Sequence, residues 1–176
     1  MRLDHDWIAA HVPHQGRMCL LDEVLSWDPQ QLLCRTGTHR CSDHPLRAHG
    51  RLGGACAIEY AAQAAAVHGA LLVLSGMPRI AGGPGPGSRP GASPAASPAA
   101  GMLVGARALE LAVERLDDIA EDLLVGAVRL HADARSALYS FELQQANAGG
   151  SGAQRRLAQG RLRVWLPGAG AAPAAP

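Results

Sequence analysis

The chain has 176 residues, a length that predicts a single domain. Apolar residues make up 48% of it but aromatic residues only 3%, so we expect a core of alanine, leucine and valine and exclude disorder throughout. All 16 basic residues are arginines, and with 15 acidic residues they give a net charge of +1. This balance argues against a nucleic-acid-binding protein, which would normally carry a strongly basic face.

The four cysteines predict reduced thiols rather than a metal site or disulfides. Cys19, Cys34, Cys41 and Cys56 contain no C-x-x-C pair, and their spacing fits no zinc pattern. The N-terminus is too acidic and too short of an apolar run to resemble a secretory signal. We therefore expect a cytoplasmic protein.

The first predicted elements are a β-hairpin and a long helix. Two apolar runs, Met18–Trp27 and Gln31–His39, are separated by the turn signal Asp28-Pro29. A helix is predicted over Ala55–Leu74, beginning after Gly53-Gly54 and ending near Ser75-Gly76. The helix is apolar on nearly every side, but the carboxylate of Glu59 makes membrane insertion costly, so we expect a buried helix of a soluble protein.

After the helix, period-two patterning predicts four strands, around 108–113, 124–133, 137–143 and 161–166. Two strands, one helix and four strands predict an α+β fold in which an antiparallel sheet wraps around one central helix, with a second subunit covering the rest. We expect one domain over 1–166, interrupted by a disordered low-complexity insertion over 82–101, and a flexible tail over 167–176.

The helix carries the first candidate for chemistry. Glu59 and Gln63 are four residues apart and therefore share one helix face. A carboxylate one turn into a buried helix is costly unless it is paired or used. Beside it, Gly53-Gly54 would let a ligand approach backbone N–H groups at the positive end of the helix dipole.

Two motifs resemble a known family. Residues 12–24, VPHQGRMCLLDEV, resemble the N-terminal signature L-P-H-R-x-P-F-L-L-x-D-x-V of the hotdog-fold 3-hydroxyacyl-[acyl-carrier-protein] dehydratases, and residues 54–63, GACAIEYAAQ, resemble their helix motif G-V-x-x-x-E-x-x-A-Q. The motifs occur in the right order and spacing. The form most similar to this chain is the dehydratase subunit of aryl-polyene pigment clusters.

The resemblance implies a hotdog fold and loss of water from a 3-hydroxyacyl thioester on an acyl carrier protein, in fatty-acid or polyene chain building, without a metal or organic cofactor. Glu59, its pKa raised by burial, would protonate the departing hydroxyl. Gly54 would hold the thioester carbonyl through its N–H, Gln63 would support Glu59, and His14 would buttress the start of the helix. These three are the candidate substrate-binding residues.

The catalytic base implied by the resemblance is a histidine before the helix. The family's histidine lies 14 residues ahead of the helix glutamate, a position occupied here by Pro45. His44, one residue earlier, is the first candidate, His39 the second and His49 the third.

Two alternatives stay open. An acyl thioesterase would use the same carboxylate to direct water at the thioester carbon and would need no loop histidine. A non-catalytic hotdog subunit would instead bind an active dehydratase and contribute part of a shared site. In each case we expect a homodimer or a heterodimer with another hotdog subunit, and no nucleic acid or membrane partner.

Overall fold

The computed structural model describes residues 3–77, 101–133, 135–147 and 154–166. Within these ranges six strands form one antiparallel sheet in the order β1-β2-β4-β5-β6-β3. The strands are β1 Glu23–Trp27, β2 Gln31–Thr36, β3 Met102–Leu111, β4 Leu123–Ala132, β5 Ser136–Gln145 and β6 Arg156–Trp165. Two helices accompany them, α1 His5–His11 and α2 Ala57–Leu74.

Helix α2 forms the centre of the core. It continues a one-turn 3₁₀ helix, Gly54–Cys56, and ends in a Schellman motif in which Gly76 has a φ of +66° and Met77 N–H donates to Leu72 O. Its side chains Tyr60, Ala61 and Ala64 are fully buried. The predicted helix is therefore confirmed almost to its ends.

The sheet covers α2 with one face. In β5, Ala137, Tyr139, Phe141 and Leu143 are buried while the residues between them are partly exposed. This alternation is the period-two pattern of a half-buried strand. The segment Gly54–Leu74 is long and apolar enough to cross a membrane, but 61% of its most apolar window is buried inside the protein. It is the buried core helix, as predicted.

The N-terminal region differs from the prediction. Residues 18–22 are not part of the first strand, which begins at Glu23 and is preceded by a 3₁₀ turn, Gly16–Met18. Helix α1 was not predicted. Its N-cap is Asp4, whose side chain accepts the Trp7 N–H at 3.2 Å, and its last turn holds the ring of His11 stacked on Trp7.

The strand after the helix is also displaced from its prediction. It spans Met102–Leu111 instead of 108–113, and every residue in it is exposed. Among the described residues β3 lies at the edge of the sheet and pairs with β6 alone, and this pairing is interrupted by bulges. The predicted insertion over 82–101, except for Gly101, and the predicted tail over 167–176 lie outside the described residues.

The loop between β2 and α2 is tied to the segment after β3. The carboxylate of Asp117 binds Arg47 Nη1 at 2.9 Å and Arg115 Nη2 at 2.8 Å, and it accepts the Leu52 N–H at 3.1 Å. Its side chain is 4% exposed, and the hydrogen bonds from Arg115 hold the pKa of this carboxyl well below its usual range. This clamp fixes the approach of the chain to the start of α2.

Candidate active site

Glu59 lies on the first turn of α2 and receives two hydrogen bonds on a single oxygen. His14 Nε2 is 3.1 Å and Gln63 Nε2 is 2.9 Å from Oε1. Among the described residues no contact reaches the other oxygen, Oε2, and the side chain is 28% exposed. Oε1 is thus held in place while Oε2 is open to a ligand.

Gln63 holds Glu59 because it is itself fixed on all sides. It is fully buried, its Oε1 accepts the Leu20 N–H at 2.8 Å, and its Nε2 donates both to Met18 O at 2.7 Å and to Glu59. The contact with Glu59 is the one that the four-residue spacing predicts. A buried amide with every group satisfied is a rigid donor.

His14 reaches Glu59 from the loop that follows α1. Helix α1 ends at His11, the backbone of Val12 is extended, and Pro13 then leads to His14, whose ring reaches α2. The His14 Nδ1 atom is buried and has no hydrogen-bond partner within the described part of the chain. Nε2 therefore makes the ring's polar contact, and that contact is with the carboxylate.

The pKa of Glu59 is lowered, which corrects the expectation that burial would raise it. The hydrogen bond from His14 is the largest cause, and the one from Gln63 acts in the same direction. Burial acts in the opposite direction and raises the pKa, but its effect is smaller than that of the hydrogen bonds. The carboxyl is therefore ionised at neutral pH and is ready to accept a proton rather than to donate one.

A cavity of about 120 Å³ extends from Glu59 along α2. From Glu59 to Gly69 the helix rises by about 15 Å. The helix side of this cavity is made of small residues: Ala62, Ala65, Ala66, Gly69 and Ala70. The opposite wall comes from the strand ends and contains Leu103, Val164 and Leu166. Two parts of the lining are polar: the end that holds Glu59, His11 and His14, and the side wall that contains Tyr139. The rest of the cavity is apolar.

Gly54 lies at the start of the helix, but its N–H is not free. It donates to Glu114 O at 2.8 Å, so the expectation that this N–H holds a thioester carbonyl is corrected. A Cβ at this position would lie 2.2 Å from Val113 O. Glycine is required here because two backbone segments meet, and the ligand role is not supported by the geometry.

None of the three loop histidines contacts Glu59. His44 is buried, with Nε2 2.9 Å from the Tyr60 hydroxyl and Nδ1 accepting the Leu46 N–H at 3.1 Å. His39 is buried with Nε2 3.1 Å from Ile119 O, and His49 lies exposed in a turn with a φ of +51°. The contacts of His44 and His39 are with residues that do not include Glu59. That either of them acts as the catalytic base remains a prediction.

The family resemblance implies a structural role for His14, and a contact with Glu59 was not predicted. The signal was present, since His14 belongs to the N-terminal motif and Glu59 to the helix motif. A second contact that was not predicted joins His68 Nδ1 to the Tyr139 hydroxyl at 3.0 Å and supports one side wall of the cavity. Within the ranges described, no group of three or more His, Cys, Asp and Glu residues is arranged to hold a metal ion.

Residues 7–82 match the family model of ApeP-like dehydratases, described as ApeP dehydratase. No curated protein matches the sequence. The match covers both motifs of the sequence analysis, His14 and Glu59 included. The predicted resemblance to the hotdog-fold dehydratases of aryl-polyene clusters is confirmed.

Solved structures share the fold. The dehydratase heterocomplex ApeI:P from Xenorhabdus doucetiae is 23% identical, with a TM-score of 0.66 and coverage of 92% of this chain and 91% of that one. Zebra fish thioesterase superfamily member 2 is 20% identical, with a TM-score of 0.56 and 93% coverage of both chains. The E. coli PaaI protein is 12% identical, with a TM-score of 0.53 and coverage of 92% and 88%. The hotdog fold is thereby confirmed.

Proposed function

We propose that this chain is a hydro-lyase that removes water from a 3-hydroxyacyl thioester, with Glu59 as its catalytic residue. The proposal is carried by the difference in hydrogen bonding between the two carboxylate oxygens of Glu59. Oε1 is held by His14 and Gln63, while Oε2 is left open beside an apolar cavity. A carboxylate fixed in this way can present one basic atom to a bound substrate.

A single carboxylate can serve both halves of the elimination. Oε2 accepts the proton from the carbon next to the thioester carbonyl, and the electron pair of that C–H bond forms the carbon–carbon double bond. The bond to the 3-hydroxyl group breaks, and Glu59 returns its proton to the departing oxygen, which leaves as water. The low pKa of Glu59 suits the first step, since the base must be ionised before the substrate binds.

The acyl chain would lie along the small residues of α2. Ala62, Ala66 and Gly69 keep the helix surface low, and Leu103 and Val164 face them. Burying the chain there removes apolar surface from water, at about 25 cal/mol per Å². Binding energy from this unreactive part of the substrate would hold the carbon next to the carbonyl against Oε2.

Glu59→Gln tests the proposal. Gln keeps the shape of the side chain but cannot accept the proton, so the rate of enoyl thioester formation should fall by about 10²–10⁴-fold. The measurement is the ultraviolet absorbance of the conjugated product, from a 3-hydroxyacyl group attached either to an acyl carrier protein or to N-acetylcysteamine. Glu114→Gln is the matched control, because Glu114 is exposed and lies outside the cavity. Dehydration at the wild-type rate by Glu59→Gln would reject the proposal.

Thioester hydrolysis is a second candidate, favoured by the same ionised carboxylate. A general base with a low pKa and one open oxygen could direct a water molecule at the thioester carbon. The two reactions give different products from one substrate. Release of free thiol, measured with a thiol-reactive dye, would identify hydrolysis, while the conjugated double bond would identify dehydration.

The working molecule in this proposal is a cytoplasmic dimer. The exposed edge strand β3 supports an assembly in which a second hotdog subunit, identical or not, continues the sheet. All four cysteines are free thiols, which supports a reducing compartment. In a heterodimer, a partner subunit could supply the histidine base that the sequence assigned to His44, and Glu59 would then share the reaction with it.

A further inference from the structure

His11 is a further polar side chain at the Glu59 end of the cavity, and the proposed elimination does not use it. It is the last residue of α1, and it lines the cavity together with Glu59 and His14. The residue is partly buried. A polar ring beside a reactive carboxylate is placed to contact the same substrate.

The hydrogen bonding of His11 determines which ring nitrogen carries the hydrogen. Nδ1 lies 2.7 Å from the backbone oxygen of Trp7. A carbonyl oxygen can only accept, so Nδ1 is the donor, and in the neutral ring Nε2 then bears the lone pair. Within the part of the chain that the structure describes, Nε2 has no hydrogen-bond partner. His11 therefore offers an acceptor that the described residues leave unused.

The ring of His11 is held in one orientation. It stacks on the Trp7 ring, with centroids 4.1 Å apart and an angle of 15° between the planes. Trp7 is in turn packed against the hydrophobic core, and its neighbour Ile8 is fully buried. The stack opposes a tilt of the His11 ring, and the Nδ1 hydrogen bond opposes a flip that would exchange the two nitrogens. Nε2 is thus an acceptor fixed in advance of binding.

Two other histidines offer no comparable atom. His14 directs Nε2 to Glu59, and its Nδ1 is buried. His44 accepts the Leu46 N–H with Nδ1, so the lone pair of its neutral ring is already engaged. Of the two histidines that line the cavity among the described residues, His11 is the one with an unoccupied acceptor nitrogen.

A 3-hydroxyacyl group brings a donor that needs such an acceptor. Its hydroxyl hydrogen requires a partner once the group has left water, because a buried polar group without one is costly. In the proposed reaction Oε2 of Glu59 faces the carbon that loses its proton, so it cannot be the sole partner of the hydroxyl hydrogen as well. Nε2 of His11 supplies a second acceptor at the same end of the cavity.

We propose that Nε2 of His11 accepts the hydrogen bond of the substrate's 3-hydroxyl group and positions that group for elimination. This inference deepens the proposed function and rests on it. Oε2 of Glu59 takes the proton from the carbon next to the carbonyl, and the electron pair forms the double bond while the carbon–oxygen bond breaks. The proton passes from Oε2 to the departing oxygen, which keeps its own hydrogen and leaves as water. His11 neither gains nor loses a proton.

The first test measures the binding of two ligands that are not turned over. They are N-acetylcysteamine conjugates of a 3-hydroxyacyl group and of the saturated acyl group of equal length, each with an amide in place of the thioester. An amide acidifies the neighbouring carbon less than a thioester does, so elimination is suppressed. By isothermal titration calorimetry the wild type should bind the 3-hydroxy ligand about tenfold more tightly than the saturated one. His11→Phe keeps the stack on Trp7 but has no ring nitrogen, and it should bind the two ligands within about twofold of each other.

His5→Phe is the matched control. His5 is the first residue of the same helix, and its Nδ1 also donates to a backbone oxygen, Leu21 O at 3.0 Å, but it lines a different cavity. This variant should keep the preference of the wild type. His11→Gln supplies an amide oxygen as an acceptor and should restore part of the preference.

Kinetics provide the second test. In His11→Phe, kcat/KM for the 3-hydroxyacyl thioester should fall by about tenfold, while Ki of the saturated acyl thioester should change by less than about twofold. Three results would overturn the proposal: equal binding of both amides by the wild type, an unchanged preference in His11→Phe, or an equal loss of affinity for both ligands, which would make His11 a structural residue. Failure of the proposed function gives a different result, in which the hydroxyl preference depends on His11 but the wild type forms no enoyl thioester.

Discussion

Glu59 shows how the two oxygens of one carboxylate can be given separate tasks. Two donors from distant parts of the chain, His14 and Gln63, converge on Oε1. Their hydrogen bonds stabilise the charged form more than burial destabilises it, and the pKa falls. The same contacts hold the side chain in one orientation at the cavity that Glu59 lines, and they leave Oε2 without a contact among the described residues. The same two hydrogen bonds therefore set both the ionised state of Glu59 and the position of its carboxylate.

Removing the His14 donor should move the acid limb of the activity profile. In His14→Ala the carboxylate loses its strongest stabilising contact, so the pKa of Glu59 rises and activity is lost at a higher pH as the solution is acidified. The value of kcat/KM at neutral pH should also fall, by up to roughly 100-fold, because the carboxylate is no longer held in place. The measurement is kcat/KM against pH for the N-acetylcysteamine substrate.

His14→Gln is the control for this prediction, because its amide can donate from a similar position. It should return the acid limb towards that of the wild type. An acid limb that stays in place in His14→Ala would contradict the role given to His14 as a positioning residue.

His44 should affect stability more than turnover. Its Nε2 contacts the Tyr60 hydroxyl, which is buried and also lies 3.0 Å from Thr38 Oγ1. His44→Ala leaves polar groups unpaired and should lower the free energy of unfolding by about 1–3 kcal/mol in urea denaturation. Turnover per folded molecule should change less than about threefold. A loss of ~10²–10⁴-fold would instead support His44 as the base that the family resemblance implies.

The sequence could predict Glu59 and Gln63 as neighbours because helix geometry alone brings them together. The contact between His14 and Glu59 spans 45 positions and depends on α1, a helix of seven residues that was not predicted. The sign of the Glu59 pKa shift depends on that contact. For this reason Glu59 could be selected from the sequence as a candidate catalytic residue, but its protonation state could not be predicted.

At the level of elements, the segment before α2 and the segment after β3 are held tightly together. The Gly54 N–H donates to Glu114 O, and the Leu116 N–H donates to Leu52 O. The two segments approach so closely that no Cβ fits at position 54. The start of the helix that carries Glu59 is fixed in this way to the segment after the edge strand.

Gly54→Ala should therefore be destabilising while Gly53→Ala is not. The added methyl group at position 54 would meet Val113 O at 2.2 Å, and the backbone shift should cost about 1–3 kcal/mol in denaturant unfolding. At Gly53 a Cβ has nothing within 4 Å and the φ of −66° suits alanine, so the effect should stay within about 0.5 kcal/mol. Equal effects at both positions would contradict the close approach.

The elements that were predicted well are those with strong end signals. Helix α2 has glycines at both ends, and the β1–β2 hairpin has Asp28, whose side chain accepts the N–H groups of Gln30 and Gln31. Strand β3 was displaced because its apolar residues lie on both faces and all of them are exposed. A bulge with Ala108 at a φ of +49° also breaks the period-two pattern there. Patterning identifies which residues are apolar, but it cannot indicate that a strand lies at an edge.

At the level of the whole molecule, β3 is one of the two edge strands of the sheet formed by the described residues. Met102, Val104, Leu109 and Leu111 are exposed along it. An exposed apolar edge strand tends to pair with another chain. The exposed edge is therefore a surface on which the dimer expected from the sequence could form.

We expect light scattering at micromolar concentration to give twice the mass of one chain, either alone or after mixing with a second hotdog subunit. Val104→Lys/Leu109→Lys should reduce this to one chain, because charges on an edge strand oppose pairing. Leu130→Lys is the control, since Leu130 is 48% exposed on β4, away from the edge. A wild-type chain that remains monomeric under both conditions would contradict the assembly.

The contacts of Asp117 should protect two nearby arginines from cleavage by trypsin. The loop between β2 and α2 contains Arg47 and Arg51, after which trypsin can cleave, and it has little regular secondary structure. Arg47 is nevertheless bound to Asp117, and the Leu52 N–H next to Arg51 is bound there too. Cleavage requires the chain to detach locally from such contacts. Limited digestion at these two arginines would therefore report how often the start of α2 opens.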